Sequence, residues 1–302
     1  MKKTKTVTIG IPAHNEALNI TRLINSIAAQ KGNNFKINKA IVMCDGCRDN
    51  TSGVAKKLSK KFTFVKVIDD GQRLGKIGRL NQLYKKNKSD ILIIVDGDTV
   101  LGSRYTIFEF VNAFSDKKVG LVGGNDRPGT PHNFVQKMAS TWIDIWYYSH
   151  KDVNNGVTIN NHKGCASALS KSLAKRIQIP KQIVVGDEDY VYLKSKELGY
   201  KFKFAEQAVV NYSVPSTINE FFRQTTRFLS TKNNIADYFG EYVYEEFKIP
   251  LFNKFKGVIT VFIKEPYYVF IAIIFQILQR IASPFYQDSY QGGFWQTLQT
   301  TK

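Results

Sequence analysis

Residues 91–98 read ILIIVDGD, five consecutive apolar residues followed at once by two aspartates on either side of a glycine. A short apolar run of this kind predicts a buried β-strand, which puts Asp96 and Asp98 at its carboxyl end. Two neighbouring carboxylates repel each other unless a cation lies between them, and Mg²⁺ or Mn²⁺ prefers oxygen ligands that it shares with phosphates. Asp-Gly-Asp is also a common turn sequence, but its position directly after a buried strand favours a metal site.

The segments around this strand alternate between strand and helix patterns. Further strands are predicted at residues 7–11, 40–44 and 64–68, and helices at residues 17–30, 51–60 and around 80–84. This alternation indicates an α/β fold with a mostly parallel, Rossmann-like sheet flanked by helices. In the first helix, apolar residues recur at helical spacing behind Asn15, a candidate N-cap.

Ligands of such sheets lie beyond the carboxyl ends of the strands. Polar sequences follow three of the predicted strands, at residues 12–16, 45–49 and 96–98. We therefore expect these three segments to converge on one crevice.

The second half of the chain carries weaker strand signals and longer helical ones. Strands are predicted near residues 121–122 and 166–169 and helices at 187–198 and 217–237, while the aromatic-rich stretch 142–148 has no clear assignment. Residues 258–263 and 267–278 are strongly apolar, but the second run is about a dozen residues, short of the roughly 20 that span a bilayer. We expect a catalytic domain at 1–240 and a C-terminal apolar helical appendage at 241–302. The appendage is either an interfacial or re-entrant membrane element or a helix hairpin packed on the domain.

The charge of the chain predicts an anionic partner. Lys and Arg number 43 against 25 Asp and Glu, for a formal charge of +18. Phosphorylated small molecules, an anionic membrane surface and nucleic acid would all fit, but the chain has no recognisable nucleic-acid-binding motif, so nucleic acid is disfavoured.

The cysteine content and the N-terminus bear on the compartment. Three cysteines are too few for a disulfide framework, and the Cys44–Cys47 CxxC is read as packing at a strand end. The basic N-terminus has no apolar signal-peptide core. The expected location is the cytoplasmic side of the cell membrane, as a peripheral or monotopic protein.

Five segments in order carry a family resemblance. They are IPAHNE at 11–16, DGCRDNT at 45–51, Gly75-Lys76 with Asn81 before the Asp-Gly-Asp, GDED at 186–189 and QTTRF at 224–228. Over about residues 7–228 the chain resembles inverting glycosyltransferases of family 2, which have the GT-A fold. The last segment resembles the QxxRW element of membrane polysaccharide synthases, with Phe228 in place of Trp, which puts processive synthesis in doubt.

The resemblance implies a nucleotide-sugar donor site and a divalent metal. The residues that it assigns to the donor are Pro12, Ala13, Asn15, Glu16, Asp45, Lys76 and Asp96. Asp96 and Asp98 would hold Mg²⁺ or Mn²⁺. Glu16 could equally serve to cap a helix, because a carboxylate is stabilised at a helix N-terminus, and Lys76 could be a solvated surface charge.

The resemblance also implies an acceptor site. Asp189 matches the catalytic base that takes a proton from the acceptor hydroxyl, with Asp187 as the alternative if the register is shifted. Gln224 and Arg227 would share one helix face, from which Arg227 could bind the departing diphosphate.

The expected reaction is a one-step transfer from a UDP- or GDP-sugar to a hydroxyl of a glycan or of a lipid-linked acceptor. One alternative is a nucleotidyltransferase that makes a nucleotide-sugar, although residues 12–16 lack the Gly-rich, Arg-containing loop of that class. The other is a non-catalytic binder of anionic lipid or nucleic acid.

Overall fold

One eight-stranded sheet forms the centre of the molecule. The computed structural model describes residues 4–183, 185–282, 290, 291, 294 and 295, with side chains except at 227–230 and at the last four of these residues. The strands are β1 Lys5–Ala13, β2 Phe35–Cys44, β3 Val65–Ile68, β4 Ile91–Val95, β5 Thr99–Leu101, β6 Val119–Pro128, β7 Ala166–Ser170 and β8 Lys201–Tyr212. Their order across the sheet is β3-β2-β1-β4-β7-β6-β8-β5. Two short strands, β9 Tyr290–Gln291 and β10 Phe294–Trp295, pair separately.

The sheet is parallel in its first half and mixed in its second. β1 pairs in parallel with β2 and β4, and β2 with β3. β7 runs antiparallel to both β4 and β6, β6 is parallel to β8, and β5 is antiparallel to β8. Six of the eight strands therefore run in the same direction, so the expected mostly parallel sheet is correct for them and wrong only for β7 and β5. The connection that returns the chain into β7 has no apolar periodicity that would reveal the direction of the strand.

Eleven α-helices are described. They are α1 Ile20–Ala28, α2 Thr51–Lys61, α3 Gly75–Lys86, α4 Thr106–Ala113, α5 Phe134–His150, α6 Lys171–Ala174, α7 Asp187–Glu197, α8 Ile218–Phe239, α9 Val243–Glu246, α10 Leu251–Phe262 and α11 Pro266–Ala282. The unassigned aromatic stretch thus lies within α5. Asn15 is not the cap of α1, because the helix begins five residues later behind Asn19. Asn15 instead has a left-handed backbone with φ of 56°.

Helices cover both faces of the sheet. On one face, Ile9 and Ile11 of β1 pack with Ile20 and Leu23 of α1 in a buried cluster. On the other face, α3 lies so close to β1 that a Cβ at Gly10 would stand 3.0 Å from Cδ1 of Leu83. Burial of these apolar surfaces is the main force that holds the layers together, and it fixes the strand ends that carry the polar loops.

The C-terminal helices pack on α5. Val261 of α10 and Val269 of α11 form a buried cluster with Ile145 of α5. A Cβ at Gly257 would stand 2.0 Å from Oγ of Ser149, so α10 and α5 approach at backbone distance. Within the described ranges, no helix is both long enough and apolar enough to cross a bilayer.

Candidate active site

The loops after β1 and β2 are joined by main-chain and side-chain hydrogen bonds. The amide of Asp45 donates to the carbonyl of Ala13 at 2.8 Å, and Nδ1 of His14 is 2.7 Å from the carbonyl oxygen of Asp45. The left-handed backbone of Asn15 turns its side chain toward the second loop, where Oδ1 accepts from the amide of Arg48 at 2.8 Å. The predicted convergence of these two loops is confirmed.

Glu16 connects the first loop to the Asp-Gly-Asp segment. A Cβ at Gly97 would stand 2.8 Å from Cγ of Glu16, so the glycine is needed for this close approach. The amide of Glu16 donates to Oγ1 of Thr51, and its carboxylate accepts from Nδ2 of Asn19 at 2.9 Å. Its carbonyl accepts from the amide of Ile20. Glu16 thus holds the start of α1 and touches the third loop, while its contact with a donor stays a prediction.

Asp45 is buried and holds the start of α3. Its carboxylate accepts from the amides of Leu74 at 2.7 Å and Gly75 at 3.1 Å. Nε of Arg79, whose side chain is 0% exposed, donates to Oδ1 of Asp45 at 3.1 Å, and Nη2 of the same guanidinium donates to Oδ1 of Asp70 at 2.7 Å. Both oxygens of Asp45 therefore fix the helix that carries Lys76, and its expected contact with the nucleotide stays a prediction.

Lys76 lies among the carboxylates at the centre of the crevice. Its Nζ is 3.0 Å from Oδ1 and 3.1 Å from Oδ2 of Asp96, and 4.0 Å from Oδ2 of Asp187. Desolvation of the ammonium favours its neutral form, but the nearby charges of Asp96, Asp187 and Glu188 outweigh that effect and raise the pKa of Lys76 above its usual range. Lys76 is therefore a permanent cation here and not a freely solvated surface charge.

Asp126 is a third aspartate of this region, which the sequence reasoning missed. Burial raises the pKa of the Cys165 thiol, and the charges of Asp126, Asp96 and Asp98 raise it further. Asp126 is buried near the end of β6, 3.7 Å from Nζ of Lys163. The available signal was the polar sequence Asn125-Asp126-Arg127 after an apolar strand, the same signal that identified Asp96.

The donor atoms of this site fit a hard divalent cation that is only partly coordinated by protein. Carboxylate oxygens are the ligands that Mg²⁺ and Mn²⁺ prefer, and the ammonium of Lys76 already stands at Asp96 as a cation. Among the described residues, no group of three or more His, Cys, Asp and Glu side chains is arranged as a complete metal site. Substrate oxygens and water would have to supply the remaining ligands, as is usual for Mg²⁺ beside phosphates.

The three acidic residues at the start of α7 face different ways. Asp187 approaches Lys76, and Oε2 of Glu188 would be 3.3 Å from a Cβ at Gly164, so both face the crevice. Asp189 is buried, with Oδ2 near the position of a Gly186 Cβ that would also meet Thr231 of α8. Burial, and then the charges of Glu188 and Asp187, raise the pKa of Asp189 well above its usual range. The sequence analysis favoured Asp189 over Asp187 as the base, but Asp189 is the more buried of the two. The role of Asp189 as the base stays a prediction.

A small cavity lies between α3 and α7, and its lining includes both predicted site residues and residues that the sequence analysis did not identify. Its lining includes Lys76, Tyr84, His162, Gly164, Asp187 and Glu188. Nδ1 of His162 is 2.8 Å from the carbonyl oxygen of Glu188, and burial lowers the pKa of His162 to about 4, which keeps the ring neutral. His162 therefore positions the start of α7. The signal for it was the polar run at 160–165 directly before β7.

The residues of the QxxRW-like segment lie on α8. Gln224 is half-buried on this helix, and Arg227 falls within it, but the side chain of Arg227 lies outside the described residues. α8 is anchored to α11 by a hydrogen bond of 3.3 Å from Nε2 of Gln279 to Oγ1 of Thr226. The roles expected for Gln224 and Arg227 stay predictions.

Comparison with known proteins agrees with this fold. The model of the family described as glycosyl transferase family 2 matches residues 8–178, more than half of the chain. The chain belongs to that family. A curated relative, the probable glycosyltransferase YdaM of Bacillus subtilis (strain 168), is 22% identical over 235 residues, which cover 75% of this chain and 55% of the relative. The chain spans about half the length of the curated relatives it matches.

Solved structures share the fold at low sequence identity. The mannosyltransferase PcManGT from Pyrobaculum calidifontis, in complex with GDP-Man and Mn²⁺, superposes with a TM-score of 0.62 at 19% identity and covers 92% of this chain and 76% of its own. The glucosyl-3-phosphoglycerate synthase of Mycobacterium tuberculosis, with Mn²⁺, UDP and glucosyl-3-phosphoglycerate, has a TM-score of 0.51 at 15% identity and covers 77% and 79%. This chain therefore has the α/β fold of these glycosyltransferases.

Proposed function

We propose that this protein is an inverting, metal-dependent glycosyltransferase that moves a sugar from a UDP- or GDP-sugar to an acceptor hydroxyl. The observation that carries the proposal is the contact of Lys76 with both carboxylate oxygens of Asp96, which follows β4, while Asp187 lies 4.0 Å from the same ammonium. A cation and several carboxylates in one crevice suit a diphosphate held together with a divalent metal. The complexes of the structural neighbours with GDP-Man or UDP and Mn²⁺ support the same ligands here.

The donor is proposed to lie along the three converging loops. Pro12, Ala13, Asn15, Glu16 and Asp45 would surround the nucleoside, and Lys76 would contact the diphosphate. Asp96 and Asp98 would hold Mg²⁺ or Mn²⁺, which when bound stabilises the charge that develops on the leaving nucleotide diphosphate. The positive charge of Arg227 would act on the same leaving group.

The acceptor hydroxyl needs a general base in reach of the donor sugar. We favour the crevice-facing carboxylates Asp187 and Glu188 over Asp189, because Asp189 is turned toward α8 and is buried. The base would take the hydroxyl proton while the oxygen forms the new bond to the anomeric carbon and the bond to the diphosphate breaks. This displacement requires no covalent enzyme intermediate.

The test is a transfer assay with a panel of UDP- and GDP-sugars in Mn²⁺, Mg²⁺ or EDTA, with release of UDP or GDP as the readout. Metal-dependent release with an inverted anomeric configuration, read by proton NMR of the product, is expected. A nucleotidyltransferase would instead form pyrophosphate from a nucleoside triphosphate and a sugar phosphate. A non-catalytic binder would release no nucleotide diphosphate from any donor.

We also propose that the acceptor is lipid-linked and that the protein lies on an anionic membrane surface. The support is an apolar C-terminal surface opposite the face of α10 and α11 that packs on α5. This surface consists of Phe252, Phe255, Ile259, Ile263, Phe270, Ile274, Ile277 and Ile281, all exposed. Exposed Lys254, Lys264 and Arg280 flank it, and such a mixture of apolar and basic side chains suits the headgroup boundary of a bilayer with anionic lipid.

A further inference from the structure

Lys76 makes its closest contacts with the carboxylate that is expected to bind the metal. Nζ lies within 3.1 Å of both oxygens of Asp96 and 3.5 Å from the carbonyl oxygen of Gly164. The lysine follows Gly75, whose amide is fixed by Asp45, so its backbone is anchored at the start of α3. Only the side chain can move, and it is 36% exposed. The backbone of Lys76 is thus held by hydrogen bonds of its neighbours, while part of its side chain is open to a ligand.

The charges around Lys76 explain why the ammonium is there. Asp96, Asp187 and Glu188 all favour its charged form. Without a cation, these carboxylates and Asp98 would repel one another in a partly buried crevice, where such repulsion is screened less than in water. The ammonium therefore supplies the positive charge that the carboxylates need when no ligand is bound.

We propose that Lys76 is an internal substitute for the divalent metal. Its ammonium stays paired with the carboxylate of Asp96 until a nucleotide diphosphate binds. The inference rests on the proposed donor site and deepens it. A divalent ion that enters alone must displace the ammonium from Asp96 and then lie next to it, so like charges oppose its binding. A diphosphate removes this repulsion between the two cations. Its oxygens accept hydrogen bonds from the ammonium, so that the carboxylate of Asp96 becomes available to the ion.

The consequence is a strong coupling between metal and nucleotide. Each ligand should bind weakly alone and tightly in the presence of the other, and thermodynamic linkage makes the two effects equal. A lysine that served only as a permanent structural ion pair would behave differently. Its removal would weaken the binding of metal and nucleotide alike and would leave their coupling unchanged.

The test measures Mn²⁺ binding by isothermal titration calorimetry and by water-proton relaxation for wild type, Lys76→Met and Lys76→Arg. It is done without nucleotide and with saturating UDP or GDP. Lys76→Met should bind Mn²⁺ without nucleotide about 10-fold more tightly than wild type, within the range usual for coupled sites. It should also bind UDP or GDP more weakly in Mn²⁺, and the coupling factor should fall. Lys76→Arg keeps the charge and should keep the weak Mn²⁺ binding of wild type.

Lys163→Met is the matched control. It removes one positive charge that lies 3.7 Å from Asp126, but leaves the pair of Lys76 and Asp96 intact. Its Mn²⁺ affinity without nucleotide should change less than about 3-fold, since a charge farther from the ion is better screened. If Lys163→Met and Lys76→Met gain Mn²⁺ affinity equally, the specific role of Lys76 is overturned. The gain would then come from the overall loss of positive charge.

Two outcomes separate this inference from the proposed function. If wild type binds neither UDP nor GDP with any metal, the donor site itself is wrong. If wild type binds them with Mn²⁺, but Lys76→Met binds Mn²⁺ alone no better than wild type, only the substitute-cation role fails. Thermal unfolding of each variant checks the fold, and Lys76→Gln repeats the measurement if Lys76→Met is poorly folded. A structural defect would lower Mn²⁺ affinity, whereas the proposal requires it to rise.

Discussion

The proposed nucleotide end of the crevice and the proposed acceptor end are built differently. At the nucleotide end, three loops follow neighbouring parallel strands and are held by direct hydrogen bonds, such as those from Leu74 and Gly75 to Asp45. At the proposed acceptor end, the start of α7 is contacted by His162 and packs against α8, which is in turn anchored to α11. Strand order fixes the first region, whereas helix packing fixes the second. The two regions should therefore respond differently to substitution.

The largest effect is expected at the nucleotide end, from Asp98→Asn. The change removes one carboxylate charge from the proposed metal site, and substitutions that only support a metal ligand already cost about 10- to 100-fold. We expect Mn²⁺-dependent UDP or GDP affinity to fall by more than ~10²-fold and transfer to be lost. Calorimetry with and without Mn²⁺ measures the binding. Asp116→Asn, at an exposed aspartate paired with Lys201, is the control, and undiminished Mn²⁺-dependent binding in Asp98→Asn would remove the metal assignment.

The next effect is on stability, from Arg79→Met. Arg79 is the fully buried partner of buried Asp45, and removing one member of such a pair typically costs about 3–5 kcal/mol because a buried charge is left uncompensated. We expect the free energy of unfolding in urea to fall by about 3 kcal/mol and donor affinity to fall with it, since α3 loses its anchor. Arg73→Met is the matched control. Arg73 is 3.8 Å from Asp45 but partly exposed, so its loss should cost less than about 1 kcal/mol. Equal costs would show that the buried network does not hold α3.

The acceptor end is tested by Asp187→Asn, Glu188→Gln and Asp189→Asn. One of the two crevice-facing substitutions should reduce kcat by about 10²-fold or more, the usual scale for a general base, while UDP or GDP affinity stays within a few-fold of wild type. Asp189→Asn should keep most of the activity. Single-turnover rates and nucleotide titrations separate the two quantities. If Asp189→Asn alone abolishes transfer, the sequence-based register is right and the orientation of α7 does not identify the base.

Asp189 also gives a pH signature of its own. Burial, together with Glu188 and Asp187, raises its pKa in the folded state, whereas the unfolded chain has the ordinary value near 3.9. Between these two values the folded state holds a proton that the unfolded state has lost, so stability falls as pH rises. Asp189→Asn should therefore be more stable than wild type at pH 8 and nearly equal at pH 4. Urea unfolding at both pH values measures this difference, and a loss of stability at pH 8 would contradict the burial of the charge.

The sequence predicted the proposed nucleotide end of the crevice better than the proposed acceptor end. The strand at Ile91–Val95 and the convergence of three loops were correct, because a short buried apolar run is a local signal and the carboxyl ends of parallel strands lie at one edge of a sheet. The orientation of α7 about its axis could not be predicted from the spacing of apolar residues in the sequence. Tyr190, Val191, Tyr192 and Leu193 are consecutive and all buried, so the helix has no amphipathic side that would reveal where Asp189 points. The antiparallel β7 and the contribution of Asp126 depend on the same long-range packing.

The smallest effect is expected at the apolar C-terminal surface, where the double variant Phe252→Glu and Ile263→Glu separates the membrane element from a simple packed hairpin. These side chains are 78% and 77% exposed, so their loss should leave the unfolding free energy within about 0.5 kcal/mol of wild type. Deletion of α10 and α11 would be a poorer test, because it uncovers Ile145 and other buried side chains of α5.

Flotation with neutral and anionic liposomes measures the effect on binding. Wild type should float with anionic liposomes and less so as salt rises, because apolar burial and attraction of the basic flank act together and only the second is screened. The double variant should lose about 10-fold or more in partition, since each apolar side chain at the headgroup boundary contributes only part of the roughly 1.5–3 kcal/mol that full burial would give. Leu18→Glu, at an equally exposed leucine near the nucleotide end with 76% exposure, should bind as wild type does. If wild type stays in the soluble fraction with both liposomes, the surface is only the outer face of a packed hairpin and the lipid-linked acceptor loses its support, while the donor site stands on its own contacts.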